Sequence, residues 1–479
     1  MTRTTLLTIA GIASAAALAA DETIYYRVFN ERSNAAYVHM TNGNYREAYD
    51  GYAVLVYDPA TPDEIAARAL EHAWQALNHL QRTAQLDDLL ERAVAVHSNA
   101  CPVQAKAAFI YLNIEHNGYL IAGKFERGWH RGGGRQVNAR ERDRVRAMQL
   151  LLQALALPAT TNPSTRAELL DTLAGALQAF RERHAAWRLQ ELTDMAALPD
   201  YDEGSWYYWR WQEDTRGAPV DADGAPLLYA VPASFEMARN DGERWRWLLA
   251  EIARLDPSRV DEMHFRYAAF LQHQFDVHTI SSYVDYDESS RTNETGIFAV
   301  HTLSDDETIA RLASGVRRFT LPPDASFIRM FHTLADRASN HWGERALDAL
   351  KQCYMNRRQY TTAVAMIQRS IAEYGDRPGK QRYLDDITGA RGQFTSNTTQ
   401  PAGHNTAVGF TFRNATNVVL AAHRINVKHL LDDVKRYFES NPKELDWRQL
   451  QIDHVGMRIV QQGASQYVGQ CVAAWHQPL

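Results

Sequence analysis

Helical periodicity constrains this chain more than any other feature. From about Ser33 to Gly389 the apolar residues recur mainly at intervals of three and four, the spacing that gives an α-helix one apolar face. In "TNGNYREAYDGYAVLVYDP", Tyr45, Ala48, Tyr49 and Tyr52 share a face, with small residues where a neighbouring helix can approach. Gly43-Asn44-Tyr45 followed by Ala48 has the spacing of the turn into a tetratricopeptide-type helix. "HLQRTAQLDDLLERAVAVHSNA" and "AAFIYLNIEHNGYLIAGKF" read as further amphipathic helical segments. "ERALDALKQCYMNRRQYTTAVAMIQRSIAEYGD" reads as a helix pair in which Tyr360 and Ala363 repeat the earlier tyrosine–alanine spacing. Such pairs cannot bury their apolar faces alone, and stacking solves this. The intervals are irregular. The expected fold is therefore mainly α: an irregular tetratricopeptide-like helical repeat array over residues 20–390, with insertions near 200–235 and 281–300.

The insertions differ in chemistry. "YDEGSWYYWRWQEDTRGAPVDADGAPLLYAVPASF" is rich in aromatics, Gly and Pro and should be irregular or hairpin-like. "SSYVDYDESSRTNETG" is polar and acidic and reads as a mobile loop. After Tyr383 the character changes. "TSNTTQPAGHN" has a linker composition, and "VGFTFRN" alternates, with Val408, Phe410 and Phe412 on one side. That pattern predicts a half-buried strand. "NVVLAAHRINV" and "QYVGQCVAAW" are further strand candidates. Between them "KHLLDDVKRYFES" is a helix with Leu430, Leu431, Val434, Tyr437 and Phe438 on a stripe, ended by Asn441-Pro442. Residues 395–479 are thus expected to form a small, truncated β-sandwich-like domain with one embedded helix. So few strands leave exposed edges.

The first residues, "MTRTTLLTIAGIASAAALAADE", place Arg3 before an apolar stretch from Leu6 to Leu18, with a small-residue cleavage pattern at Ala17-Leu18-Ala19. This predicts a cleaved secretory signal over residues 1–19 and a periplasmic or secreted mature protein. The stretch is shorter than the ~20 residues of a spanning helix, so no membrane insertion is expected. Over the 479 residues the net charge is -6, which argues against nucleic acid as a partner. Cys101, Cys353 and Cys471 are too scattered for a disulfide framework. One bridge plus a buried thiol, or three buried thiols, are the alternatives.

Several clusters carry candidate chemistry. "GWHRGGGRQVNARERDRVRAMQL" lacks the Lys-Ser/Thr of a phosphate loop, and the segment before it reads as helical. The favoured reading is a glycine-rich interhelix loop, after which Glu141–Arg144 and Asp143–Arg146 neutralise one another at i,i+3. His130, Arg131 and Arg135 are candidates for anion binding at the next helix N-terminus. Trp206, Tyr208, Trp209 and Trp211 could form a recognition platform, although dense aromatics more often pack internally. His273, Asp276 and His278 in "HQFDVH" are metal-ligand types, but without a third ligand at zinc spacing separate histidines are favoured. Asp221 to Gly224, "DADG", reads as a turn with Gly at positive φ rather than a calcium loop. No residue pattern supports catalysis, so no catalytic residue, metal or cofactor is expected.

The stretch from "TQPAGHNTAVGFTFRN" through "LLDDVKRYFESNPKELDW" to "QYVGQCVAAW" resembles the point where bacterial alpha-2-macroglobulin-like proteins pass from an N-terminal helical region into their first macroglobulin-type β domain. "RGGGRQVNARERDRVRA", "NDGERWRW" and "HTLSDDETIARLASGVRRF" resemble that helical region. The resemblance implies the front portion of a protease-trapping protein. Members of that family continue with more β domains, a bait segment and often a Cys-x-Glu-Gln thioester. Cys101-Pro102-Val103-Gln104 lacks the Glu, so no thioester residue carries over. The expected function is a non-catalytic exported protein-interaction scaffold whose partner is a cell-envelope protein, either a protease or further macroglobulin domains. The alternative is a secreted hydrolase or carbohydrate-binding protein using His273/Asp276/His278 or Trp206–Trp211.

Overall fold

The computed structural model describes residues 26–129, 131–158, 162–181, 186–203, 217–281, 299–377, 379–395, 409–441, 443–444 and 465–479. They are mostly helical, with small separate antiparallel sheets. The chain divides into two compact units, Met1–Tyr374 and Gly375–Leu479.

In the first unit successive helices pack one on the next. Tyr45–Tyr57 lies against Asp63–His79, which packs on Cys101–Asn113, then Arg140–Ala156, Pro163–Gln178 and Asp241–Leu255. Val260–Phe275, Phe327–Arg337, His341–Asn356 and Tyr360–Tyr374 continue the series. The local reasons are plain in the sequence. Asp63 and Glu64 occupy the first turn of their helix, where negative charge meets the positive end of the helix dipole. Ile65, Ala66, Ala69, Leu70, Ala73 and Leu77 form its buried stripe, and the alanines let neighbours come close. Asn162 caps the next-but-two helix by accepting from the Ser164 N–H, with Pro163 at the first position. One continuous apolar core runs from Phe29 to Ala363. The predicted tyrosine face holds, with Ala48 and Tyr52 fully buried and Tyr45 stacked on His79 at 4.1 Å between ring centres.

One predicted helical segment is partly wrong. The helix stops at Asn113, and Asn117–Ile121 and Lys124–Arg127 form an antiparallel hairpin. His116-Asn117-Gly118 interrupts the helix. Ala122 and Gly123 both take positive φ (50° and 82°), the geometry of a tight hairpin turn. Arg135–Asn138 pairs with the other edge of Asn117–Ile121, and Asp202–Glu203 completes the sheet. The glycine run therefore joins two strands, not two helices. A second hairpin pairs Glu307–Leu312 with Gly315–Thr320. The predicted "DADG" turn is present: Asp221 accepts backbone N–H bonds from Asp223 and Ala225, and Gly224 has φ 77°. The polar loop 282–298, the signal segment and residues 204–216 lie outside the described residues.

The second unit holds two separate two-stranded ribbons, Arg391–Phe394 with Phe410–Arg413 and Asn417–Ile425 with Val468–Pro478, besides the helices Lys380–Thr388 and Val427–Glu439. All strand candidates within the described residues are strands, and Asn414, with φ 54°, lies between Phe410–Arg413 and Asn417–Ile425. Burial differs from expectation. Phe410 is half-buried but Phe412 is exposed, and Val408 lies outside the described residues. On the helix stripe only Leu430 is buried, while Leu431 and Phe438 face water. A ribbon paired along one edge and packed on little else cannot bury the face that its alternation offers.

Glycines give a direct test of the packing. A Cβ on buried Gly343 would overlap the Ala338 carbonyl oxygen and the Tyr374 hydroxyl, whereas one on Gly175 would meet nothing. Gly343→Ala is expected to lower unfolding free energy by about 1–3 kcal/mol. Gly175→Ala, in an exposed helix interior, is expected to raise it by about 0.5–1 kcal/mol. Urea denaturation of both variants checks the pair.

Candidate functional site

The first turn of the helix Arg140–Ala156 gathers the most concentrated chemistry in the first unit. Its sequence alternates charge, Arg140-Glu141-Arg142-Asp143-Arg144, and each side chain leaves in a different direction. Asp143 is buried and takes a two-pronged contact from Arg127 (Nη1 2.7 Å, Nη2 2.9 Å) and one from His116 Nδ1 at 2.8 Å. Arg127 also grips Asp87 at 2.6 and 3.0 Å and the Glu115 carbonyl at 2.6 Å. Burial works against the Arg127 charge, yet Asp143 and Asp87 hold its pKa above the ordinary value. Glu141 receives both terminal nitrogens of Arg181 at 2.8 Å and Arg144 Nε at 3.1 Å. Burial raises the Glu141 carboxyl, but the Arg181 hydrogen bonds and the charges of Arg144, Arg181 and Arg188 outweigh it and hold the group below its usual range.

The node continues into the segment around residue 193. Arg144 donates to Thr193 Oγ1 at 2.8 Å, and that hydroxyl donates to Asp241, which is fully buried. Arg244 donates to the Thr193 carbonyl at 2.9 Å and to Asp241 at 3.1 Å. The expected Glu141–Arg144 pair is present. Asp143–Arg146 is not, because Arg146 turns to Glu91 at 2.7 and 2.8 Å while Asp143 is taken by Arg127. For Asp143 and Arg146, partners on other elements displace the local i,i+3 neighbour.

Arg181 also lines a cavity of about 640 Å³ bounded by the helices Pro163–Gln178, Asp241–Leu255, Val260–Phe275 and His341–Asn356. Trp245, Phe265, Phe270 and Trp342 supply aromatic walls. Trp245 and Phe270 lie 4.9 Å apart and Phe265 and Trp342 5.4 Å apart, measured between ring centres. Arg266 and Arg345 join Arg181 as its guanidinium groups, with Gln178, Gln274 and His273 as further polar lining. No carboxylate is among the described residues that line it. Arg266 is paired with Asp171 and Glu262. Arg345 is exposed and makes no ion pair among the described residues. Its guanidinium sits 4.5 Å from the Phe265 ring centre and 4.9 Å from that of Trp342, within cation–π range.

Of the candidate site residues singled out from the sequence, only His273 lines this cavity among the described residues. Trp206, Tyr208, Trp209, Trp211 and His130 are outside the described residues. Arg131 and Arg135 are exposed, and Arg131 lies over the exposed Trp129 at 5.4 Å. The strand Arg135–Asn138 separates the glycine run from the next helix N-terminus, where Asn138 accepts from the Arg140 N–H at 2.7 Å. His273 and His278 stand near-perpendicular with ring centres 6.2 Å apart. Asp276 is fully buried and accepts from the Val277 N–H at 2.7 Å, Asn356 at 2.9 Å and His278 Nδ1 at 3.2 Å. It thereby ties the end of the Val260–Phe275 helix to the helix His341–Asn356. No group of three potential metal ligands occurs among the described residues.

Cys101, Cys353 and Cys471 are all unpaired, and Cys471 is exposed rather than buried. Burial pushes the Cys353 thiol well up, and the Asp276 charge adds to it, which keeps it protonated and a poor nucleophile. Sequence reasoning missed the cavity residues other than His273. Their signal was the pairing of an aromatic residue with arginine in "ERWRW" and "HWGER", which reads equally as amphipathic helix surface. A scan of protein-family models and a search of curated proteins both return no match to this chain.

Two outcomes follow from the node. Asp143→Asn leaves Arg127 short of a buried partner and should cost about 3–5 kcal/mol of stability, read from the urea midpoint. Glu91, Glu141 and Asp171 have folded pKa values below their ordinary ones. Their contribution is therefore complete above the unfolded pKa and is lost as pH falls through the folded values. The urea midpoint should hold from pH 7 to about 5 and fall below about 4.

Proposed function

We propose that this chain is a non-catalytic, exported protein-interaction scaffold, the front portion of an alpha-2-macroglobulin-like protease-trapping protein. On this reading its helices form a degenerate tetratricopeptide-like array, and its second unit belongs to a macroglobulin-type β domain. The partner is a cell-envelope protein: the remaining β domains of such an assembly, or a protease.

The observation that carries the reading is the open ribbon of the second unit. Trp475 pairs with Leu420, and Val419 with His476, so Trp475 and Val419 project from opposite faces. They are 45% and 63% exposed, and Val472 is 54% exposed. Each strand is paired along one edge among the described residues. Apolar groups on both faces, beside free backbone donors and acceptors, favour cover by another protein segment. The serial helix packing and the signal-like first residues support the same reading. The hydrogen bonds on Asp276 support a joint between helices over a catalytic base, which weighs against the hydrolase alternative.

The test is capture from periplasmic extract, with the intact chain and with a Val419→Asp/Trp475→Asp variant. One envelope protein recovered by the first and lost by the second is the expected result. No recovered protein, or equal recovery by both, would overturn the reading. In-frame sequence downstream encoding further β domains and Cys-x-Glu-Gln would support the family assignment.

A further inference from the structure

We infer that the cavity between the helices Pro163–Gln178, Asp241–Leu255, Val260–Phe275 and His341–Asn356 is a binding site for an organic carboxylate carried on an aromatic body. The inference concerns the first unit alone and stands whether or not the scaffold reading holds.

Three features carry it. First, the polar lining is dominated by donors. Arg181 is paired with Glu141 and Arg266 with Asp171, so Arg345 is the guanidinium of the lining without an ion pair among the described residues, and no described lining residue offers a carboxylate acceptor. An anion is an acceptor only and fits. Second, the guanidinium of Arg345 is spread over the Phe265 and Trp342 rings without an ion-pair partner among the described residues. Stacking fixes the plane of the fork and leaves its N–H edge for a planar two-oxygen partner. Third, Gln274 lines the cavity, is only 6% exposed, and its side chain makes no hydrogen bond among the described residues. Its amide reaches the cavity surface, so a ligand's polar group can pair with it.

The walls select the rest of the ligand. Trp245, Phe265, Phe270 and Trp342 offer ring faces and edges that suit an aromatic group. A bare phosphate would leave that surface unused. A volume of about 640 Å³ lies in the range of sites that enclose small organic ligands. Two sources share this chemistry, a free aromatic acid and the C-terminal aromatic residue of a peptide.

Trp245 and Trp342 lie in the wall, so tryptophan fluorescence reports occupancy. The probes are indole-3-acetate, the peptide Ala-Ala-Phe with a free C-terminus, and the same peptide amidated. At least one free acid should bind saturably, and the amide should bind at least about tenfold more weakly than its acid. Tighter binding of the tripeptide assigns a peptide terminus, and tighter binding of indole-3-acetate a small acid. Arg345→Met should weaken the better acid about tenfold or more, with the melting temperature unchanged because Arg345 is exposed. Gln274→Leu should also weaken it. If that variant fails to fold, the Arg345→Met result decides alone. Binding by neither acid, equal binding of acid and amide, or unchanged affinity in Arg345→Met would overturn the inference.

Discussion

The first unit depends on carboxylates that are taken out of water only because guanidinium groups meet them there. Glu141 and Asp143 leave one helical turn in two directions. Asp143 binds Arg127 of the small sheet, and Glu141 binds Arg181 just past the next helix. Through Arg144 and Thr193 the same turn reaches Asp241 on the helix after that. Removing any one charge would strand its partner in a medium that solvates it poorly. Apolar burial drives the helices together but tolerates sliding, because one alanine- and leucine-rich face fits another in several registers. Directional ion pairs fix which register is used.

The same turn connects architecture with recognition. Arg181 has its terminal nitrogens committed to Glu141 while its side chain forms part of the cavity wall. The wall is thus held by the charged node. Arg345 is the opposite case, placed on two rings without an ion pair among the described residues and available at the rim. The second unit follows different physics. Its ribbons pair backbone to backbone but leave large apolar side chains in water, Phe394, Phe412, Val419 and Trp475 among them. The first unit has a continuous apolar core, and the second leaves much of its apolar surface in water.

Much of this was legible in the sequence, and the exceptions are instructive. Helices with a clean three-to-four period, such as Tyr45–Tyr57 and the pair His341–Asn356 and Tyr360–Tyr374, could be read directly. The "DADG" turn and the strands Asn417–Ile425 and Val468–Pro478 were readable from turn chemistry and alternation. The hairpin Asn117–Arg127 was misread because its short apolar run, Tyr119–Ile121, continues the helical spacing past the break at His116-Asn117-Gly118. Asp143 was assigned to Arg146 since spacing shows only local neighbours, and a partner 16 residues back on a strand leaves no local mark. The cavity was invisible for the same reason. Its residues come from separate helices, and only packing makes Trp245, Gln274 and Arg345 neighbours of one space.

The central claim is that the charged turn at Arg140–Arg144 couples the surrounding helices into one cooperative body. Native-state hydrogen exchange, followed through increasing urea, measures this directly. Amides in Cys101–Asn113, Arg140–Ala156, Pro163–Gln178 and Asp241–Leu255 should converge on a single opening free energy. Exchange of the Asp241–Leu255 helix through its own lower-energy opening, while Arg140–Ala156 stays protected, would contradict the account.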